Sequence, residues 1–393
     1  RSETVLHEAA PQAGGRCRSY FDSTLNMTID NGNHLLLSGN FAALSFAKKI
    51  GGDKKLGGPQ EASFDFCDLA RKRRWKLRPN AGRFPWWVLS PDRRAPNTAG
   101  MDYLSLVMLL FAKPNQTLRP FLGSGEAARN LWDPLFISAL NADPAEASAT
   151  LAGAIVRETF AQGGAACRPL VAVDGLSAAF VDPALDFLRA HGAEIRFGAK
   201  LRAIRFADGR AATLDFGEET VTLAPDDKIV LAVTAPVAAA LLPGLKAPDE
   251  FRAIVNAHFA YPAPQGLPLL TGVIGGATEW LFGFSDRLSV TISAAERFLA
   301  TPREDLAATI WAEVQAVAGF SGPLPAWQII KEKRATFAAT PQQDALRPGT
   351  ATPWRNLVLA GDWTQTGLPA TIEGAVRSGL NAARLCAIPP VTL

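Results

Sequence analysis

The stretch that most constrains this chain is residues 356–385, which read NLVLAGDWTQTGLPATIEGAVRSGLNAARL. Leu357, Val358 and Leu359 make a short apolar strand pattern that stops at Ala360, Gly361 and Asp362. A loop containing Gly367 and Pro369 follows, and a helical pattern begins near Ala370, with Ile372, Val376 and Leu380 spaced four apart on one face. Ala375, Gly379 and Ala383 form a stripe of small residues beside that face. Small residues at this spacing let a helix approach another surface closely, and the free N–H groups at its N-terminus attract an electron-rich group. A plain strand, loop and helix closing an α/β domain has the same spacing. The Gly361-Asp362 pair adds chemistry, because a carboxylate at a strand end accepts hydrogen bonds from sugar hydroxyls while the glycine admits a ligand closely.

The segment resembles the C-terminal flavin-binding segment of the amine oxidase and phytoene desaturase superfamily. That resemblance implies that Gly361 and Asp362 lie near the ribityl and pyrophosphate part of FAD. It also implies that Ala370, Thr371 and Ile372 bring the helix N-terminus to the isoalloxazine N1 and C2 carbonyl.

At the other end, residues 4–7 read as a short strand ending at Glu8, and the loop AAPQAGGRCRS carries Gly14 and Gly15 before Arg16. In dinucleotide-binding folds an acidic residue ends the second strand and takes the ribose hydroxyls, about 20 residues after a glycine-rich phosphate loop. A lone glutamate at a strand end is ordinarily a polar terminus. Followed by Gly-Gly-Arg, it looks like the second half of a flavin-binding Rossmann unit, with Gly15 and Arg16 approaching the pyrophosphate. The preceding strand and phosphate loop are absent from the sequence, which opens at Arg1 with no signal or transit pattern. The chain reads as a fragment without its start, and weak or no FAD retention is expected of it.

Residues 27–40, MTIDNGNHLLLSGN, place a tight polar turn of Asp30, Asn31, Gly32 and Asn33 before His34 and three leucines. In the superfamily the corresponding segment passes over the flavin ring. By that resemblance Gly32 and Asn33 contact cofactor, and His34 and Asp30 are the candidate proton donors; a hydrogen-bonded structural histidine is the plain alternative. Residues 163–236 resemble the middle flavin segment, where a strand whose backbone at Leu201 holds the adenine follows a glycine-led helix. The expected fold is therefore α/β, a Rossmann-type FAD-binding domain with an inserted α+β substrate domain. The flavin domain is expected to take residues 1–50, 163–236 and 348–393, and the inserted domain 51–162 and 237–347. Within the latter, Thr301, Pro302, Arg303 and Glu304 read as a capping box, and Leu306, Ile310, Val314 and Val317 as one apolar helix face ending at Gly319.

Composition sets the outer limits. The chain has 393 residues, 48% hydrophobic and 20% charged, enough for two folded domains. A net charge of +3 is too small to argue for nucleic acid. The four cysteines are far apart and no histidine clusters with them, so neither a metal site nor a disulfide framework is indicated, and a reducing cytosol fits. Arg71, Lys72, Arg73 and Arg74 lead into Phe84, Pro85, Trp86 and Trp87. Cations beside clustered aromatics are either a solvated face over a core or a lipid-surface patch on the inner face of the cell membrane. Residues 104–112 are too short to span a bilayer and make either a buried helix or the wall of an apolar tunnel.

An apolar insertion over a flavin implies a redox step on a hydrophobic substrate, and no nucleophile motif argues for hydrolysis. The phrases GGRCRSYFD, IDNGNHLLLSGN, RFPWWVLSPDRRAP, SVTISAAER and EKRATFAATP are similar to the squalene-associated FAD-dependent enzymes of bacterial hopanoid pathways, the hydroxysqualene dehydroxylases, along essentially the whole chain. That family reduces hydroxysqualene to squalene, which implies an isoprenoid substrate and an electron donor that the sequence does not name. Two other readings stay open: a related oxidase or desaturase acting on a carotenoid, porphyrinogen or amine, and a flavin-free isoprenoid-binding protein.

Overall fold

A seven-stranded sheet forms the largest element of the computed structural model, which describes residues 3–386. Its strands lie in the order Trp327–Phe337, Phe251–Phe259, Leu288–Ile292, Trp280–Gly283, Leu270–Ile274, Phe64–Asp68 and Arg73–Leu77. All neighbours are antiparallel except Phe64–Asp68, which runs parallel to Leu270–Ile274 and so joins two stretches distant in the chain. Alternation along Phe251–Phe259 explains its central place. Val255, Ala257 and Phe259 enter an apolar cluster on one face, while the polar Asn256 and His258, equally buried, serve the other.

Five helices position the rest: α1 (Phe41–Ile50), α2 (Leu104–Leu109), α3 (Ala149–Glu158), α4 (Arg303–Ala318) and α5 (Ile372–Leu385). Helix α4 covers the apolar face of the sheet with Leu306, Ile310, Val314 and Val317, all buried, and ends at Gly319 with φ 73°. The capping box does not form. Pro302 occupies the cap position and no side chain caps the helix.

The α/β part contains two parallel strand pairs, Val5–His7 with Glu194–Arg196 and Ile229–Leu231 with Leu357–Leu359. These pairs are not hydrogen-bonded to each other among the described residues. The strand expected from Leu201 begins at Ala203 instead, pairing with Arg210–Asp215 across a two-residue turn in which Asp208 and Gly209 both have positive φ. Pro236 lies in the first turn of a helix, Ala235–Leu241, because the first turn needs no proline N–H.

Helix α5 buries a different face from the one its leucines and valines suggest. It packs on α1 with Gly374, Ser378 and Ala382 buried, against the buried Ala43 and Ala47 of its neighbour. Ile372, Val376 and Leu380 are half-buried, and Ala375 and Gly379 face outward. The reason is polar. The buried Glu373 accepts hydrogen bonds from the N–H groups of Ala42 (3.1 Å) and Ala43 (2.8 Å), satisfying the first turn of α1, which has no side-chain cap of its own.

Candidate active site

Asp362 ends the strand Leu357–Leu359, and the backbone before it is shaped for glycine alone. Gly361 has φ 140°, and a Cβ there would lie 2.5 Å from the Trp363 indole nitrogen. Its N–H donates to Ser378 Oγ at 2.8 Å, which stitches the strand end to α5. The buried carboxylate of Asp362 accepts a charge-assisted hydrogen bond from Arg16 at 2.7 Å, across 346 positions of sequence. Arg16 also donates to the Ala335 carbonyl, so one guanidinium joins the Gly-Gly-Arg loop, the strand end and the edge strand of the large sheet.

Arg347 holds the loop after Asp362 from behind. Its fully buried side chain donates to the carbonyls of Asp362 (3.3 Å), Trp363 (3.4 Å) and Thr364, lies 4.8 Å over the Phe337 ring and pairs with Asp344 at 3.0 Å. Burial pulls its pKa below the ordinary arginine value. Periodicity offers no sign of this residue; a lone arginine before Pro348 and Gly349 is the only local signal.

His34 stands with this group, its ring close enough to Arg16 and Asp362 to feel both charges. Burial first, and then the Arg16 charge, push its pKa down to about 4, with Asp362 pulling the other way. The imidazole is therefore neutral at pH 7. The turn before it is clamped to the polar face of the large sheet. Asn256 donates to the Asn31 carbonyl (3.3 Å), Asn33 donates to Thr291 Oγ1 (3.2 Å), and Thr291 donates to Asn256 Oδ1 (2.8 Å). Gly32 lies so close that a Cβ would sit 2.9 Å from Asn256 Nδ2. The contacts of Gly32 and Asn33 thus run to the sheet, while the buried Asn33 Oδ1 has no partner among the described residues.

Asp30 does not join His34 as a free acid. Its Oδ1 accepts from Ser19 Oγ (2.6 Å) and the Leu176 N–H (2.8 Å), and the residue is 3% exposed. Burial raises its pKa, but the carboxylate is committed to closing the turn at Gly175, whose φ is 94°. Its hydrogen bonds tie Ser19 to Leu176. Sequence reasoning also missed His258, fully buried with Nδ1 2.8 Å from Ser289 Oγ and a pKa lowered to about 3 by burial and then by Arg287.

At the first strand, Glu8 turns its Oε1 to the Ala10 N–H at 2.8 Å. Gly14 (φ 108°) packs against the Cys17 carbonyl, whereas Gly15 (φ 55°) faces open space, with nothing within 4 Å of where a Cβ would sit. Leu201 lies in the loop before its strand, its side chain against the main apolar cluster. At α5, Thr371 Oγ1 accepts from the Gly374 N–H (3.0 Å), and the N–H groups of Ile372 and Glu373 have no acceptor among the described residues. Two open helix-end donors, a cation beside a carboxylate, an orphaned amide oxygen and an open glycine fit a ligand with a polyol, phosphates and a polar ring edge, and FAD is such a ligand. A cavity of about 380 Å³ between Ser19, Tyr20, Phe21, Ser177 and Val181 includes none of Arg16, His34 and Asp362 in its lining.

The basic and aromatic residues separate. Trp87 is 3% exposed, edge-on to Tyr103 with ring centres 5.0 Å apart, so it belongs to the core. Arg71 pairs with Glu126 at 2.8 Å and Arg74 donates to the Val317 carbonyl, both on the hairpin of the large sheet, while Trp86 remains exposed. No helix among the described residues is long and apolar enough to cross a membrane.

A hydroxysqualene dehydroxylase of Rhodopseudomonas palustris is 57% identical, covering 97% of this chain and 91% of that protein. Proteins of the same name from Sinorhizobium fredii and Zymomonas mobilis are 52% and 45% identical, again over 97% of this chain and over 91% and 92% of theirs. Among solved structures, an oxidoreductase from Methanosarcina mazei superposes with TM-score 0.71 at 13% identity, covering 97% of this chain and 94% of that one. A putrescine oxidase variant gives TM-score 0.67 at 16% identity, over 98% and 93%. Residues 2–387 match the sequence profile described as flavin containing amine oxidoreductase, and the chain belongs to that family.

Proposed function

We propose that this FAD-dependent oxidoreductase reduces hydroxysqualene to squalene. The observation that carries the substrate is the likeness, along nearly the whole chain, to three proteins named for that reaction. In the overall reaction the C–O bond at an allylic carbon breaks, the hydroxyl leaves as water with one proton taken from solvent, and a hydride takes its place. Reduced FAD, when bound, supplies that hydride, its electrons coming from a donor outside this chain.

The chain's own residues hold and orient. Arg16 and Asp362 take the polyol and phosphate part of the cofactor, with Glu8, Gly14 and Gly15 beside them and the Leu201 backbone at the adenine. The N-terminus of α5, at Ala370, Thr371 and Ile372, serves the ring edge. His34, neutral at working pH, donates an N–H hydrogen bond to the departing hydroxyl oxygen rather than acting as a charged acid. In this reading residues 1–50, 163–236 and 348–393 bind the cofactor, and residues 51–162 and 237–347 bind the isoprenoid. A peripheral position at the cell membrane belongs to the same reading, since the substrate dissolves in lipid.

The test is anaerobic incubation of the flavin-loaded protein with a chemical reductant and hydroxysqualene. Squalene formation that needs the reductant and not oxygen is expected. Consumption of oxygen with a carotenoid, a porphyrinogen or an amine, and no squalene, would replace this reading with an oxidative one.

A further inference from the structure

Residues 84–113 present a face that nothing among the described residues covers. Met101, Leu104, Val107, Met108 and Phe111, spaced three and four apart along α2 and its flanking turns, are 72%, 48%, 49%, 59% and 74% exposed. The opposite side of the same helix buries Leu106 and Leu109, and Gly153 of α3 lets it seat closely, since a Cβ there would lie 2.3 Å from the Leu109 carbonyl. The helix is thus firmly docked with its apolar outer face exposed. Phe84, Trp86 and Leu89 extend the face, at 75%, 45% and 70% exposure, and Leu89 touches Gly100 at the start of the α2 segment. Apolar patches of this size on a monomer ordinarily meet another surface.

The rim identifies that surface. Arg83, Arg93, Arg94 and Lys113 form no ion pair among the described residues, and the Arg93 guanidinium lies 4.7 Å over the Trp86 ring. The two acids of the segment are occupied: Asp92 with Arg78 at 2.9 Å, and Asp102 with the Ala99 N–H at 2.7 Å. Aliphatic and aromatic side chains ringed by cations that no acid pairs complement an anionic bilayer, chains below and phosphates above. A cavity of about 220 Å³ opens beside the same helix, between Leu109 and Ala112, Leu151 and Ala154 of α3, and Gln365 and Gly367 in the loop that follows Asp362.

We propose that this face, and not the Arg71 hairpin, docks the protein on an anionic lipid surface, with the isoprenoid entering beside α2 toward the flavin segment. The entry route rests on the substrate reading above; the docking does not. The test is co-sedimentation of the protein, without substrate, on vesicles of phosphatidylcholine alone or mixed with phosphatidylglycerol. Binding is expected to be at least roughly tenfold stronger on the anionic vesicles, since each cation near such a surface counts for about a fivefold gain and two of them together exceed tenfold, and to weaken with salt. The exposed-site double variant Leu104→Ser with Phe111→Ser is expected to lose roughly tenfold on both vesicles, and Arg83→Glu with Lys113→Glu to lose the anionic preference alone. An unchanged thermal midpoint shows that the variants are folded. Equal binding by parent and variants, no preference for anionic lipid, or a dimer in lipid-free solution that the Leu104 and Phe111 substitutions dissolve would overturn the proposal. Docking without any squalene formation would leave the surface intact and sink the reaction instead.

Discussion

His34 and His258 are the two residues whose environments say most. Both are held neutral by burial, His34 with a pKa of about 4 and His258 with one of about 3. The unfolded chain takes up a proton on each near the ordinary value of about 6.5, and the folded chain does so only at the depressed values. Their contribution to stability is therefore complete above about pH 6.5 and is lost as pH falls toward 4 and 3. Urea unfolding at pH 7 and pH 5 should show this loss, and His258→Asn should make it smaller. The charges facing His258 are Arg287 and Asp22, and the backbone of Asp30 also lies against its ring. Of these, Asp30 works in the opposite sense, because burial raises its pKa and the folded chain then gains that proton before the unfolded one. His34→Gln, which keeps the shape but removes the imidazole, should lower the rate of hydroxysqualene reduction by roughly 100-fold while the flavin spectrum of the loaded protein persists. A variant as fast as the parent would remove His34 from the reaction. Asp30→Asn is expected to act on stability rather than rate, since the carboxylate ties Ser19 to Leu176.

At the scale of elements, the polar seat of α1 on α5 is the joint that fixes the helix proposed to face the cofactor. Glu373→Gln keeps the volume but removes the charge from two helix-end N–H groups and from Arg377, which also pairs with Glu158. A loss of about 1–3 kcal/mol in denaturant unfolding is expected, as for other charged hydrogen bonds at helix starts. The strand, the Gly-Asp pair and the helix of this region were legible in sequence because each depends on residues a few positions apart. The face that α5 buries was not, because burial was decided by Glu373 reaching another helix rather than by apolar periodicity. The run at residues 104–112 failed differently: it is apolar on both sides, so spacing alone cannot say which side meets the core. Thr301 shows the limit of a motif, where four suitable residues in order do not form the cap they spell.

At the scale of the molecule, the site is an assembly of distant pieces. Arg16, His34, Ala335 and Asp362 come from three of the expected chain segments and meet through one guanidinium and its partners. Sequence identified Arg16, His34 and Asp362 separately, through short motifs and a family resemblance, but not the ion pair between Arg16 and Asp362, nor the support from Arg347 and Asn256. Those contacts are set by how the large sheet lies against the α/β part, which no local pattern encodes. Asp362→Asn is expected to weaken flavin binding relative to the parent, read by titrating FAD into each flavin-free protein, because it unpairs Arg16 and removes the acceptor at the strand end. The most direct test of the reaction itself is an anaerobic single turnover: the flavin is photoreduced in the loaded protein, hydroxysqualene is added, and the flavin spectrum and the product are followed together. Return of the oxidised spectrum with one squalene formed per flavin is the expected result. Reduced flavin that persists beside unchanged hydroxysqualene would contradict the account.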